Sequence, residues 1–321
     1  MKTAIKILSI ISLIFACIGI MIALLCLTIL WEPTNVILDN HINVIESGPI
    51  IPLGEALHII GVFLISLVLL VTYKSNKINI IEFLSILLIS IGIPFLGKCI
   101  DSVQLIWIDK YFGDGAYNII SETNHILSLP IRAINLSAAI CMLTSGMRII
   151  DKIALKKELT ITVASIISII TSTVSLLLAI VMLTILWRPI AAVFVSSLDI
   201  INNGAIFPIG SMVYILVCMV IAIILFFRKK VIKAIAVEIL FTIMLGFVLP
   251  SLTSLLAAVQ QSFINASSTF FVTIFTISNR VMSPVLMIVD ISFYLSLAVC
   301  GMLIAYKIHC KSTNQSMKYS K

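Results

Sequence analysis

Glu55-Ala-Leu-His58 sets a carboxylate and an imidazole three residues apart. On a helix that spacing projects both from one face, as in di-metal helix bundles. Such a centre needs further carboxylates on neighbouring helices, and the stretch 156 positions later, Ser211-Met-Val-Tyr214, carries no ligand. The sequence therefore argues against a metal site. His41, His125 and His309 each stand alone. Cys17, Cys26, Cys99, Cys141, Cys218, Cys300 and Cys310 form no Cys-x-x-Cys pair. Most lie in apolar runs, where a thiol behaves as a small hydrophobe, so neither a disulfide framework nor a zinc site is expected. No phosphate-binding loop, HExxH, GxSxG or dinucleotide-binding pattern occurs. An intramembrane enzyme would need several nucleophilic and acid–base groups in one plane. No catalytic set and no cofactor are expected.

What remains is a handful of ionisable residues in apolar surroundings, each a functional candidate because charge is costly there. Glu82 and Glu238, five residues after Lys77 and Lys233, would make a pair of carboxylates able to hold a cation or a proton. The alternative is local: each lies in the first turn of its span, where the helix dipole favours a carboxylate and the lysine is close. Asp290 lies about two turns into the last span, in SPVLMIVDISFY, and Asn135 holds the place 155 positions earlier, in IRAINLSAA. A carboxylate at that depth needs a partner, and Arg132, one turn nearer the outer face on the corresponding helix, is the expected one. Such a group serves either a solute or ion path or an interhelical clamp that fixes packing. Pro94 and Pro250 are expected to break a helix, which either lines a binding site, as in some transporters, or only shapes packing.

The elements that must hold these residues follow from composition. The chain is 61% hydrophobic and 11% charged, against about 25% charged in a soluble domain. Residues 7–31, 159–187 and 208–227 contain no charge, and about 20 apolar residues cross a bilayer core. An all-α integral membrane protein is expected, with eight spans at about 7–31, 56–73, 78–98, 129–149, 159–187, 208–227, 234–256 and 283–306. The first run is too long for a cleavable signal and lacks a small-residue cleavage site, so it is read as a retained helix. With the N-terminus cytoplasmic, 16 of the 21 basic residues fall on the inner side. Lys98, Lys110, Arg132, Arg188 and Arg280 stay outside with nine acids: Glu32, Asp39, Glu46, Glu55, Asp101, Asp109, Asp114, Glu122 and Asp199. This bias places both termini in the cytoplasm, and the Ile, Lys and Asn richness, as of an AT-rich prokaryotic genome, sets the expectation of a prokaryotic cytoplasmic membrane.

The chain also spells one phrase twice. LTILWEP at 27–33 returns as LTILWRP at 183–189, GPIIPLG at 48–54 as GAIFPIG at 204–210, and Val103-Gln104 as Val259-Gln260. Two four-helix repeats are read from this, 1–155 and 156–311, followed by a basic tail, 312–321. An even number of spans makes the repeats parallel. LTILW is expected to end the first helix of each, with Trp31 and Trp187 at headgroup depth and Pro33 and Pro189 stopping the helix. Glu32 and Arg188 differ in sign; they either pair across a pseudo-twofold axis or stand as separate solvated charges.

Residues 32–55, 99–128, 188–207 and 257–282 are expected as outer connections. TNVILDNHINVIES at 34–47 would form an amphipathic interfacial helix. The basic clusters FFRKK and KSTNQSMKYSK read first as topology signals and next as contacts for anionic lipid. The bilayer and another membrane protein are the expected partners; nucleic acid is not. Two functions fit. One is a non-catalytic accessory, sensor or envelope factor. The other is a small-solute or ion transporter component with its path at the repeat interface.

Overall fold

The computed structural model describes residues 1–33, 46–74, 80–112, 114–153, 157–228 and 235–319. The described residues are almost wholly helical, with no strand among them, and eight helices are long and apolar enough to cross a membrane. In hydrocarbon no water satisfies backbone groups, and a helix bonds its own. Two compact units divide the chain, Met1–Arg148 and Ile149–Lys321.

The first unit holds α1 (Lys2–Leu27), α2 (Leu53–Val71), α3 (Ile80–Leu87), a π-helical turn (Leu88–Gly92), α4 (Ile93–Phe112) and α5 (Asp114–Lys152), whose last residues enter the second unit. The second holds α6 (Lys157–Leu183), the short α7 (Trp187–Phe194) and α8 (Leu198–Asn202), α9 (Ile209–Arg228), α10 (Ala236–Ile243), a second π turn (Met244–Val248), α11 (Leu249–Asn265) and α12 (Thr269–Tyr319).

Lipid tails are as apolar as leucine, so hydrophobicity alone does not join helices in a bilayer. Small residues and hydrogen bonds do. The buried face of α1 runs Ser9, Ser12, Ala16, Gly19, Ala23 at alternating spacings of three and four, and that of α6 runs Ser165, Ser168, Ser172, Ser175, Ala179. These stripes meet the last helix of their units. Ser12 Oγ donates to the Ser137 carbonyl at 3.0 Å and Ser137 Oγ returns to the Ser12 carbonyl at 2.8 Å. Ser168 and Ser292 exchange the same two bonds at 3.0 and 2.8 Å. Ser66 and Cys141 close around the first pair, and Ser296 joins the second. A Cβ on Gly19 would sit 2.6 Å from Ile134 Cδ1, so the approach of α1 to α5 depends on its absence.

Several expected boundaries move. The third span does not end near residue 98; α3, the π turn and α4 run as one 33-residue helix, Ile80–Phe112, about 50 Å long against a core of about 30 Å. α5 starts at Asp114 and passes through Pro130. Most of 99–128 and 257–282, expected as loops, is thus helical hairpin. Pro94 and Pro250 do not break their helices. Each follows a π turn whose wide i→i−5 closure (Ile93 N–H to Leu88 O, Leu249 N–H to Met244 O) carries the helix past the missing donor. α1 and α6 stop at Leu27 and Leu183, ahead of the tryptophans. Wide turns follow, Leu30 N–H to Leu25 O and Leu186 N–H to Val181 O, both 2.9 Å. Pro189 lies in the first turn of α7, where a missing N–H leaves nothing unpaired. Pro189 therefore helps to start a helix and does not stop one. Trp31 and Trp187 are 3% and 2% exposed. Both are core side chains; Trp31 packs with Cys26, Ile119 and Ile126.

Residues 34–45, read as an interfacial helix, lie outside the described residues, as do Lys77 and Lys233. The matching stretch in the second unit is α7 and α8, with Val193 and Leu198 exposed.

Candidate functional site

Glu82 is the third residue of α3 and 1% exposed. Its partner is Arg148 near the end of α5, with Nη2 2.7 Å from Oε1. The same guanidinium donates to Leu69 O at 2.8 Å, Thr72 O at 2.8 Å and Thr72 Oγ1 at 3.0 Å. Those carbonyls lie at the C-terminus of α2, where the last turn has no intrahelical donor. Arg148 therefore caps α2 and neutralises Glu82 at once, a task for a planar fork of donors and not for an ammonium.

Glu238 holds the equivalent place at the start of α10 and is fully buried. Two cations meet its Oε1: Lys307 Nζ of α12 at 2.6 Å and Arg228 Nε at 3.1 Å. Arg228 stands where Thr72 stands in the first unit, 156 positions earlier. Lys307 lies one helical turn past the position matching Arg148. The carboxylate keeps its place while its cations change type and origin. Their helices supply the partners in both units.

Asp290 accepts a 2.8 Å hydrogen bond from the Tyr214 hydroxyl of α9, and Phe293 and Tyr294 pack beside it as an aromatic wall. The expected Arg132 is not this partner: it belongs to the first unit and is exposed. A tyrosine serves the carboxylate because its hydroxyl reaches across from the neighbouring helix of the same unit. In the first unit His58 Nε2 and Asn135 Oδ1 lie 2.9 Å apart, and these are the positions matching Tyr214 and Asp290. The Glu55-x-x-His58 pair thus spends its imidazole on Asn135. No group of three or more His, Cys, Asp or Glu suited to a metal occurs among the described residues.

At the other end of each unit a glutamine bridges a helix start to the strand of chain before it. Gln104 accepts from Leu53 N–H and donates to Ile51 O, both 2.9 Å; Gln260 accepts from Ile209 N–H and donates to Phe207 O, both 2.8 Å. Gly48 and Gly204, with φ of 72° and 77°, turn the chain into these segments, a conformation that glycine adopts without strain. Asp101 accepts from Gly54 N–H at 2.7 Å. Glu32 and Arg188 are exposed, one in each unit.

Of the residues named from sequence, Glu82, Glu238, Asn135 and Asp290 each acquire a partner inside their own unit. Reading the sequence missed that Arg148, Lys307 and Arg228 do this, because all three sit in basic clusters that resemble topology signals. It also missed the serine stripes, although their spacing was visible.

Eight apolar helices with embedded polar groups are compatible with a multi-pass membrane protein. No family model matches the chain, and comparison with curated proteins and with solved structures finds no match either.

Proposed function

We propose that the chain is a non-catalytic protein of the prokaryotic cytoplasmic membrane, built as two parallel four-helix repeats with both termini inside, that acts as an accessory, sensor or envelope factor. The observation that supports this most is how its embedded carboxylates are bound. Glu82 and Glu238 are held by cations at 2.7 and 2.6 Å, and Asp290 by Tyr214 at 2.8 Å. A carboxylate bound this way, 1% exposed or less in the two glutamates, works as a clamp between helices. A transport component is the second reading, favoured by the paired π turns beside Pro94 and Pro250, since π turns often mark functional sites.

Flux measurements in proteoliposomes separate the two. Wild type, Glu82→Gln, Glu238→Gln and Asp290→Asn would be compared for proton, Na⁺, K⁺ and amino-acid flux against protein-free vesicles. The accessory role expects no flux from any of them. A flux that disappears in Asp290→Asn while the variant stays folded would overturn it in favour of transport.

A further inference from the structure

Along α4 an apolar groove opens at the end of the first unit opposite Arg148. It has a volume of about 670 Å³ and is walled by Ile50, Leu53, Ile100, Val103, Trp107 and Phe112 among others, a size typical of ligand pockets. Its only amide side chain, Gln104, is already committed to Leu53 and Ile51.

Three observations define what fits it. The first is depth. Glu82 and Asp101 mark two polar levels on one helix, about 29 Å apart at 1.5 Å per residue, close to the thickness of a hydrocarbon core. The groove runs from Cys99 to Phe112, so it lies at headgroup level and beyond. Yet Val103, Ile106 and Trp107 there are 67%, 69% and 56% exposed. The second is its aromatic wall. Trp107 packs against Tyr111 and Phe112 with ring centroids 5.4 Å apart in both cases, and Lys110 Nζ lies 5.3 Å from the Tyr111 centroid. Exposed rings of this kind take cations on their faces and anchor partners. The third is charge. Eight of the nine acids on this side of the chain belong to the first repeat, with Lys98, Lys110 and Arg132. The second repeat has Asp199 with Arg188 and Arg280. The first repeat is thus strongly acidic at this end and the second is not. Two of the aromatic wall's three rings follow the same division: the positions matching Trp107, Tyr111 and Phe112 are Phe263, Ser267 and Ser268.

We infer that this groove binds a cationic amphipathic peptide at the membrane surface, apolar face against Val103 and Trp107, basic side chains toward the neighbouring Glu55 and Asp101 and the aromatic faces. An apolar surface at headgroup depth, on the repeat that carries most of the acids of that side, matches that chemistry on both faces. The inference deepens the accessory role proposed above and rests on it.

The test uses the full chain in zwitterionic nanodiscs, which leave both membrane faces open and give a cationic peptide little lipid charge to bind. The probe is a synthetic 20-residue helix with leucine on one face and lysine on the other. Its affinity would be measured for wild type, Trp107→Ala, Glu55→Gln/Asp101→Asn and the control Phe263→Ala, each checked for unchanged thermal unfolding. The expected result is binding above empty nanodiscs, weakened at least tenfold by Trp107→Ala, weakened by the acid substitutions and by salt, and altered less than twofold by Phe263→Ala. Equal binding to empty nanodiscs, or equal loss in Phe263→Ala, overturns the inference. A Trp31→Phe/Trp187→Phe protein then leaves Trp107 as the sole indole. Peptide should shield it from acrylamide. Quenching by brominated lipid chains that the peptide does not change would assign the groove to lipid and overturn the inference too. Failure here leaves the flux result untouched, so the two proposals fail separately.

Discussion

Replacing Arg148 by methionine tests what holds the first unit together. The guanidinium and Glu82 are each 1% exposed, and they lie 2.7 Å apart. Three further bonds of 2.8 to 3.0 Å tie the guanidinium to Leu69 and Thr72. Breaking a buried pair by removing one partner costs about 3–5 kcal/mol, against about 0–1 kcal/mol for an exposed pair. The buried figure applies here, a loss of more than a hundredfold in the folding equilibrium at about 1.4 kcal/mol per tenfold. Lys307→Met should cost less, about 1–3 kcal/mol, because Arg228 Nε remains 3.1 Å from Glu238. Adding Glu82→Gln to Arg148→Met should restore much of the loss, since a neutral amide then replaces the carboxylate that lost the guanidinium. Reversible unfolding in mixed micelles, titrated with SDS, gives all four values. A loss below about 1 kcal/mol for Arg148→Met would refute the reasoning, because it would mean that Glu82 finds water or another cation at no expense.

Three further outcomes follow from the packing. Gly54→Ala should prevent stable folding, since a Cβ there would collide with the Gly97 carbonyl and the Asp101 carboxylate; thermal unfolding of the purified protein checks this. Gly210→Ala, whose Cβ would lie 2.5 Å from the Thr253 carbonyl, should be nearly as severe, whereas Gly48→Ala meets no atom within 4 Å and should lose only the strain of φ 72°, about 1–2 kcal/mol. Ser12→Ala and Ser168→Ala should each lower stability by about 0.6–2 kcal/mol, the range for interhelical hydrogen bonds in membranes, while Ser12→Leu should abolish the α1–α5 approach, visible as lost cross-linking between cysteines placed on the two helices. Tyr214→Phe should destabilise the second unit by a similar small amount, and Asp290→Asn, which keeps an acceptor for Tyr214, by less; the same SDS titration ranks them.

Helix number and approximate position were legible because spans of apolar residues are long and unbroken. Helix ends were not. The stretch from Cys99 to Ile120 mixes charge with Trp107, Tyr111 and Phe112, and composition alone reads it as a loop, whereas α4 runs on to Phe112 and α5 starts at Asp114. The prolines misled for a local reason: a proline removes one donor, but a π turn just before it leaves the helix no bond to lose there. Glu82 and Glu238 were found because glutamate in an apolar run stands out. Their partners were hidden, since arginine and lysine at the inner end of a span satisfy two rules at once, topology and pairing. Nothing in the local sequence says which rule is in force.

Comparison of positions 155 or 156 apart separates residues that hold the fold from residues that face a partner. Arg148 gives way to Lys307 one turn further on, with Arg228 added; His58–Asn135 becomes Tyr214–Asp290; Ser66 and Cys141 become Ala222 and Ser296. The carboxylate–cation contact, the bond between the second and last helices of the unit and the Ser296 bond to Ser168 persist while the chemical groups change, and only the Ser66 bond is lost at Ala222. The hydrogen bond between two helices survives the exchange of an imidazole for a phenol. These contacts lie within the packing of each unit. The groove end behaves in the opposite way. Its backbone clip is retained by Gln104 and Gln260, while the cluster of Trp107, Tyr111 and Phe112 is reduced in the second unit to Phe263, with Ser267 and Ser268 at the other two positions. A feature present in one unit, at positions where the other keeps the backbone clip without it, is one that the clip does not require.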